Sequence, residues 1–166
     1  VVSHGHLDHA GAVPSLLSGS ERPEIHWTPP TYALALLLAR DTLKLQGNSP
    51  TSPFTDEDVK RVTEVSRTHG YGEAFDAGGY EVTFYDAGHI PGSAHVLVDD
   101  GETRLLYTAD FHTDSQRLVA GTRERPDADV VITESTYADV EHEGRQARAD
   151  RFAERVKSTI WEGGTV

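Results

Sequence analysis

Val1-Val2-Ser3-His4-Gly5-His6-Leu7-Asp8-His9 is the stretch that decides how this chain is read. Three histidines and one aspartate fall within six consecutive positions, a density of titratable groups that a solvated loop has no reason to carry. Packed together without a cation, they would repel one another or leave lone pairs unsatisfied. Imidazole and carboxylate together suit a borderline ion such as Zn²⁺. The ligand spacing i, i+2, i+4, i+5 differs from helical zinc motifs, whose two histidines sit at i and i+4. It calls for an irregular loop leaving a strand. The apolar flanks Val1-Val2 and Ala10-Gly11-Ala12-Val13 make a run of surface histidines or a tag a poor explanation.

A metal site needs further donors, and two candidates follow. His89 lies in Asp86-Ala87-Gly88-His89-Ile90-Pro91-Gly92-Ser93, after the alternating run Tyr80–Tyr85 that reads as a strand. Gly88 on one side and Pro91-Gly92 on the other predict a stiff, tight turn there. Asp110 closes Arg104-Leu105-Leu106-Tyr107-Thr108-Ala109-Asp110, an apolar strand pattern. A carboxylate in that position is costly to desolvate unless something positive meets it.

His-x-His-x-Asp-His, then Gly-His-x-x-Gly-Ser, then a strand ending in aspartate resembles the metallo-β-lactamase fold. Val130-Val131-Ile132-Thr133-Glu134-Ser135-Thr136-Tyr137 resembles the Glu-Ser-Thr-Tyr motif of its β-CASP branch. That branch includes the endonuclease subunit of the pre-mRNA cleavage and polyadenylation factor, its archaeal relatives and the RNase J enzymes. The resemblance runs through the whole chain with the motifs in the family's order.

The resemblance implies an α/β fold, an incomplete αββα sandwich, with residues 1–166 as the N-terminal part of a metallo-β-lactamase domain. A strand before Val1, the β-CASP cap domain and the C-terminal motifs, including a histidine partner for Glu134 and a last metal ligand, are then expected outside this chain. On that reading the segment is a fragment, inactive alone. Two Zn²⁺ ions are implied: His4, His6 and His89 would hold one, Asp8 and His9 the other, and Asp110 would bridge them. Asp8 would also orient the attacking water. Glu134 would orient the missing histidine, the general acid toward the leaving oxygen. The implied substrate is RNA, cut in 3′-end processing or decay, since glutamate at 134 leans toward RNA-cutting members. Rival readings are a thioesterase of the glyoxalase II type, a DNA nuclease of the same branch, and a non-catalytic scaffold subunit. The expected setting is cytoplasmic and archaeal, with a homodimer or processing-complex subunits as partners.

Composition narrows the chemistry. The 166 residues suit one compact domain, and no apolar run is long enough to span a membrane. Cysteine is absent, so thiolate ligands and disulfides are excluded. Twenty-seven acidic residues against fifteen basic ones give a net charge of −12, the wrong sign for attracting a polyanion. Only Lys44, Lys60 and Lys157 are lysines, the remaining basic residues being arginine. An acidic, lysine-poor surface fits a salt-rich cytoplasm in which charges are screened within a few ångströms; halophily is the preferred reading, and a small or uncharged substrate, which would favour the non-nuclease readings, is the alternative.

Along the chain, the pattern predicts a short helix over 10–17 and a strand over 24–28. Helices are expected over 31–46, stopped by Gly47-Asn48, and over 56–69, capped by Thr55. Strands are expected near 80–86, 94–99, 103–109 and 129–134, and a final helix over 144–162 with Phe152, Val156 and Ile160 as an apolar stripe. His95 reads as structural and His112 as a loop residue. His26, His69 and His142 have no evident partners and read as surface residues. Arg145, Arg148, Arg151 and Arg155 share one face of the last helix, which reads as solvated and salt-bridged because acids are interleaved.

Overall fold

A computed structural model describes residues 1–46 and 52–166. The expected helix stop at Gly47-Asn48 lies outside the described residues. The chain divides into two compact units, Val1–Glu134 and Ser135–Val166.

In the first unit, the histidine-rich loop runs into α1 (Leu7–Ala10) and a 3-10 turn over Val13–Leu17. The strand β1 (Ile25–Trp27) leads into α2 (Pro29–Gln46). The helix α3 (Asp56–Val65) starts at a capping box, in which Thr55 Oγ1 accepts from the Asp58 N–H and the Asp58 carboxylate accepts from the Thr55 N–H. Instead of continuing to residue 69, α3 gives way to β2 (Ser66–Thr68), which pairs in parallel with β1. Tertiary pairing overrides helical pattern here: the Trp27 indole donates to Ser66 Oγ at 3.0 Å, beside the ladder.

The larger sheet has the order β3 (Ala74–Ala77), β4 (Tyr80–Asp86), β5 (Ala94–Asp99), β6 (Arg104–Tyr107), β7 (Val130–Ile132). Its strands are antiparallel except for the parallel pair β6–β7. The sequence reading did not include β3, although Gly78-Gly79 signals it. Both glycines have positive φ, 71° and 91°, as a tight hairpin with matched twist requires. Strand β6 ends at Tyr107 and β7 at Ile132, so Asp110 and Glu134 lie beyond their strands rather than terminating them. The parallel β6–β7 pair is joined by an irregular crossover that carries Asp110, where a helix would be usual.

Two apolar clusters support this mixed α/β arrangement, which is consistent with a metallo-β-lactamase-like fragment. One gathers Leu17, Trp27, Leu36, Phe54 and Val62 among the helices and β1. The other gathers Val82, Phe84, Ala94 and Val96 on the larger sheet. Each large side chain fully buried there contributes roughly 1.5–3 kcal/mol. Aromatic rings run between the clusters: His69 stacks on Phe75 at 3.7 Å between centroids, and Phe75 lies 5.1 Å from Phe84. This corrects the surface reading of His26 and His69. His26 is buried, and its Nδ1 lies 2.9 Å from His69 Nε2. No spacing rule links positions 26 and 69; only the β1–β2 pairing brings them together.

The second unit is built on α4 (Arg145–Trp161). Its expected apolar stripe forms, but Phe152 and Ile160 are exposed. The arginine face is partnered as expected, with Arg151 on Glu143 and Arg148 on His142. His142 is exposed but not isolated, since Tyr137 packs edge-on against it.

Burial and the neighbouring His69 hold His26 below the ordinary imidazole range, against the pull of Glu24. Burial lowers His69 too, opposed by Glu73 and Glu24. A histidine with a lowered folded pKa contributes stability above its unfolded value, and that contribution is lost as pH falls through the folded one. Ring-resolved NMR titration should therefore place both midpoints below 6.5, the unperturbed value. A midpoint at or above that value for either ring would contradict the buried pair.

Candidate metal centre

The loop is carried into place by a short extended segment. The Val2 N–H donates to the His26 carbonyl at 2.9 Å, and the Ser3 carbonyl accepts from the Ala94 N–H at 2.8 Å. Val1–Ser3 thus ties β1 to β5 and delivers His4 between the two sheets, where it is fully buried.

His4 Nε2 lies 3.2 Å from His6 Nδ1, which is 3.3 Å from His89 Nε2. Asp110 Oδ2 lies 3.7 Å from both His4 Nε2 and His89 Nε2. One donor atom from each of His4, His6, His89 and Asp110 falls within 4.8 Å of the others. Tetrahedral ligands 2.0–2.1 Å from a common ion sit about 3.3 Å apart, close to these separations. Three ring nitrogens converging on one point cannot all be satisfied by one another's protons, so the donor set fits a cation.

The other oxygen of Asp110, Oδ1, faces His9 Nε2 at 3.5 Å, and Asp8 Oδ2 lies 3.5 Å from the same nitrogen. Asp8 itself is largely solvent-facing. The six residues singled out in the sequence therefore come together, with Asp110 turning one oxygen to each histidine group. Glu134 joins them from beyond β7: its Oε1 accepts from the Phe111 N–H at 3.3 Å, beside Asp110.

Burial, with His9 next, lowers the His4 pKa to about 4, and Asp110 only partly offsets this. Burial and His6 lower His89 as well, against Asp110 and Glu134. Both rings are neutral near pH 7, leaving a lone pair for a metal, as ligation requires.

Residues that sequence reasoning missed hold these ligands. Ser3 Oγ lies 3.2 Å from His4 Nδ1 and 3.5 Å from His9 Nδ1, so one hydroxyl meets the rear nitrogens of both rings. Such contacts fix tautomer and ring orientation. Its place next to His4 was the available signal. Ser93, fully buried, accepts the N–H groups of His89 and Ile90 on its hydroxyl. At Gly88, with φ 68°, a Cβ would lie 2.4 Å from the Thr122 nitrogen, so the turn before His89 admits only glycine. His95 is structural as expected, its Nδ1 2.8 Å from the Thr108 carbonyl oxygen and its Nε2 3.1 Å from Thr122 Oγ1. His112 is half-buried in the crossover, where its carbonyl accepts from the Thr122 N–H.

No protein-family model matches the chain. It is 33% identical over 168 residues to RNase aCSPSF2 of Saccharolobus solfataricus, covering 100% of this chain and 34% of that protein. It is 32% identical to cleavage and polyadenylation specificity factor subunit 3 of Dictyostelium discoideum, over 99% of this chain and 22% of that one. It is 31% identical to ribonuclease TTHA0252 of Thermus thermophilus, over 100% of this chain and 38% of that one. The chain thus spans well under half the length of these relatives.

Ala109, immediately before Asp110, is the one non-glycine residue with positive φ among the described residues, at 48°. That conformation costs of order 1 kcal/mol and is held by its neighbours: the Thr108 hydroxyl donates to the Ala109 carbonyl at 2.9 Å. The turn aims Asp110 at the histidines. In urea unfolding, Ala109→Gly should stay within about 1 kcal/mol of the parent, while Ala109→Val should cost about 2 kcal/mol or more. Equal stability of the two variants would show that the turn is not under strain.

Proposed function

The chain belongs to the metallo-β-lactamase-fold family of these ribonucleases and cleavage factors, and on that premise we propose that it is part of a β-CASP ribonuclease. The reaction is zinc-dependent hydrolysis of RNA phosphodiester bonds, in 3′-end processing or decay. One observation carries the reading: donor atoms of His4, His6, His89 and Asp110 gather within 4.8 Å from three distant stretches of chain. RNase aCSPSF2 and ribonuclease TTHA0252 are named for cutting RNA, which supports the substrate class.

His4, His6 and His89 would hold one zinc, Asp8 and His9 a second, and Asp110 both. Bound zinc would act as a Lewis acid on the phosphate and make water acidic enough to attack near neutral pH. Asp8, the most solvent-facing carboxylate of the set, orients that water. Glu134, placed by the Phe111 N–H, orients a histidine that lies in the cap domain beyond residues 1–166. That histidine protonates the leaving oxygen. The segment is accordingly the N-terminal part of the metallo-β-lactamase domain. The protein works in the cytoplasm, as a homodimer or with processing-factor subunits. No helix among the described residues is long and apolar enough to cross a membrane.

In the full-length protein, Asp110→Ala should lower RNA cleavage at least 100-fold and reduce bound zinc below about two ions per chain. Cleavage gels and elemental analysis measure both. An Asp110→Ala protein that cuts RNA at the parental rate would defeat the proposal.

The net charge of −12 reflects a salt-rich cytoplasm rather than the substrate. Screening of acidic self-repulsion should raise the melting temperature as potassium chloride goes from dilute to molar. A melting temperature that is flat, or highest in dilute buffer, counts against halophily.

A further inference from the structure

We propose that Thr28 and Thr31, at the start of α2, are positioning residues for His89, and that the start of this helix is a clamp on the ligand loop. The inference rests on the zinc reading of the site and adds residues that the family motifs quoted above do not contain.

Thr28 and Thr31 are 2% and 0% exposed. Both hydroxyls converge on one backbone carbonyl, that of Gly92, at 2.6 Å and 2.8 Å. The hydroxyls also lie 2.9 Å from each other, so the carbonyl is held either by both donors, one on each lone pair, or by Thr31 with Thr28 donating to it in turn; in each arrangement the helix start fixes this group. Thr28 also caps the helix: its carbonyl accepts from the Tyr32 N–H, and its Oγ1 lies 3.4 Å from the Thr31 nitrogen. Pro29 and Pro30, which lack N–H groups, follow it in the first turn, where helices tolerate proline best. The clamp is therefore built on a rigid element.

The fit at Gly92 is close. Its φ is 86°, and a Cβ would lie 2.7 Å from the Thr31 nitrogen and 2.8 Å from Thr28 Oγ1. Glycine is needed both for the backbone conformation and for the approach of the helix.

From Gly92 the hold passes to the ligand through one residue. Ser93 Oγ accepts the N–H groups of His89 and Ile90 at 3.1 Å and 3.3 Å, and the Ser93 carbonyl accepts from Tyr71 Oη at 2.9 Å. Burial, together with Asp86, raises the Tyr71 pKa, so the phenol keeps its proton to donate. Thr28, Thr31 and Tyr71 thus grip the carbonyls of residues 92 and 93, and Ser93 in turn fixes the backbone of His89. None of the three touches a metal donor atom; they act through the loop.

The test compares Thr28→Val/Thr31→Val, which removes both hydroxyls at nearly constant shape, with Thr28→Ser/Thr31→Ser, which keeps them. Thr31→Val alone serves as a milder variant should the double valine protein fold poorly. Amide hydrogen exchange over residues 87–94 and zinc affinity by chelator competition are read on the full-length protein. The valine pair should speed exchange at His89 and Ile90 at least tenfold, leave the amides of β5 unchanged, and weaken zinc binding 10- to 100-fold. The serine pair should restore both. Unchanged exchange at His89 and Ile90 overturns the proposal, as does faster exchange with zinc affinity intact. If the parent protein takes up no zinc, the functional reading fails; loop protection lost with valine and regained with serine would still uphold the clamp.

Discussion

Four donor atoms from residues 4, 6, 89 and 110 must meet within 4.8 Å, and most of the first unit can be understood as the means of meeting that demand. A ligand set drawn from distant segments is only as sharp as the backbone beneath each ligand, since a displacement of an ångström spoils coordination. Each contributing segment is accordingly tied down. Val1–Ser3 is bonded to strands on either side. The loop carrying His89 is fixed at both ends by glycines with positive φ and internally by Ser93. Asp110 follows an alanine turned into the left-handed region.

Local and global electrostatics point in opposite directions. At the centre, burial keeps the imidazoles of His4 and His89 neutral, which suits a cation and leaves the carboxylates as the negative partners. Over the whole chain the balance is −12, which would repel an RNA backbone at long range. On the proposed reading the two are reconciled if attraction to phosphate came from bound metal at short range, while salt screened the remainder within about 10 Å or less.

How much was legible beforehand depended on how local each signal was. The strands β4 and β5 and the ligand loop announce themselves through alternation and residue density, and their reading needed no tertiary knowledge. The convergence of His4, His6, His89 and Asp110 was legible because histidines and aspartates bounded by glycines or placed just past a strand have few other uses. Local pattern failed where partners are far apart in sequence. Residues 66–69 continue the α3 pattern until the pairing with β1 takes them out of the helix. His26 has no visible reason to be buried until His69 and Phe75 stack with it. Thr28 closes the expected strand and Thr31 opens the expected helix, and nothing local marks either of them, because the carbonyl they grip lies some sixty positions downstream.

Strand β7 is the last of the larger sheet, and Val130, Val131 and Ile132 are 44%, 56% and 50% exposed. An apolar edge with unpaired backbone groups is a template for another chain, and natural sheets commonly blunt it with charge. In dilute buffer at neutral pH the net charge of −12 opposes the association of separate copies of this segment. Near the isoelectric point of about 5.0 that repulsion vanishes. For this segment, then, the exposed apolar residues of β7 are an association hazard that charge alone restrains, and the restraint is weakest in mild acid.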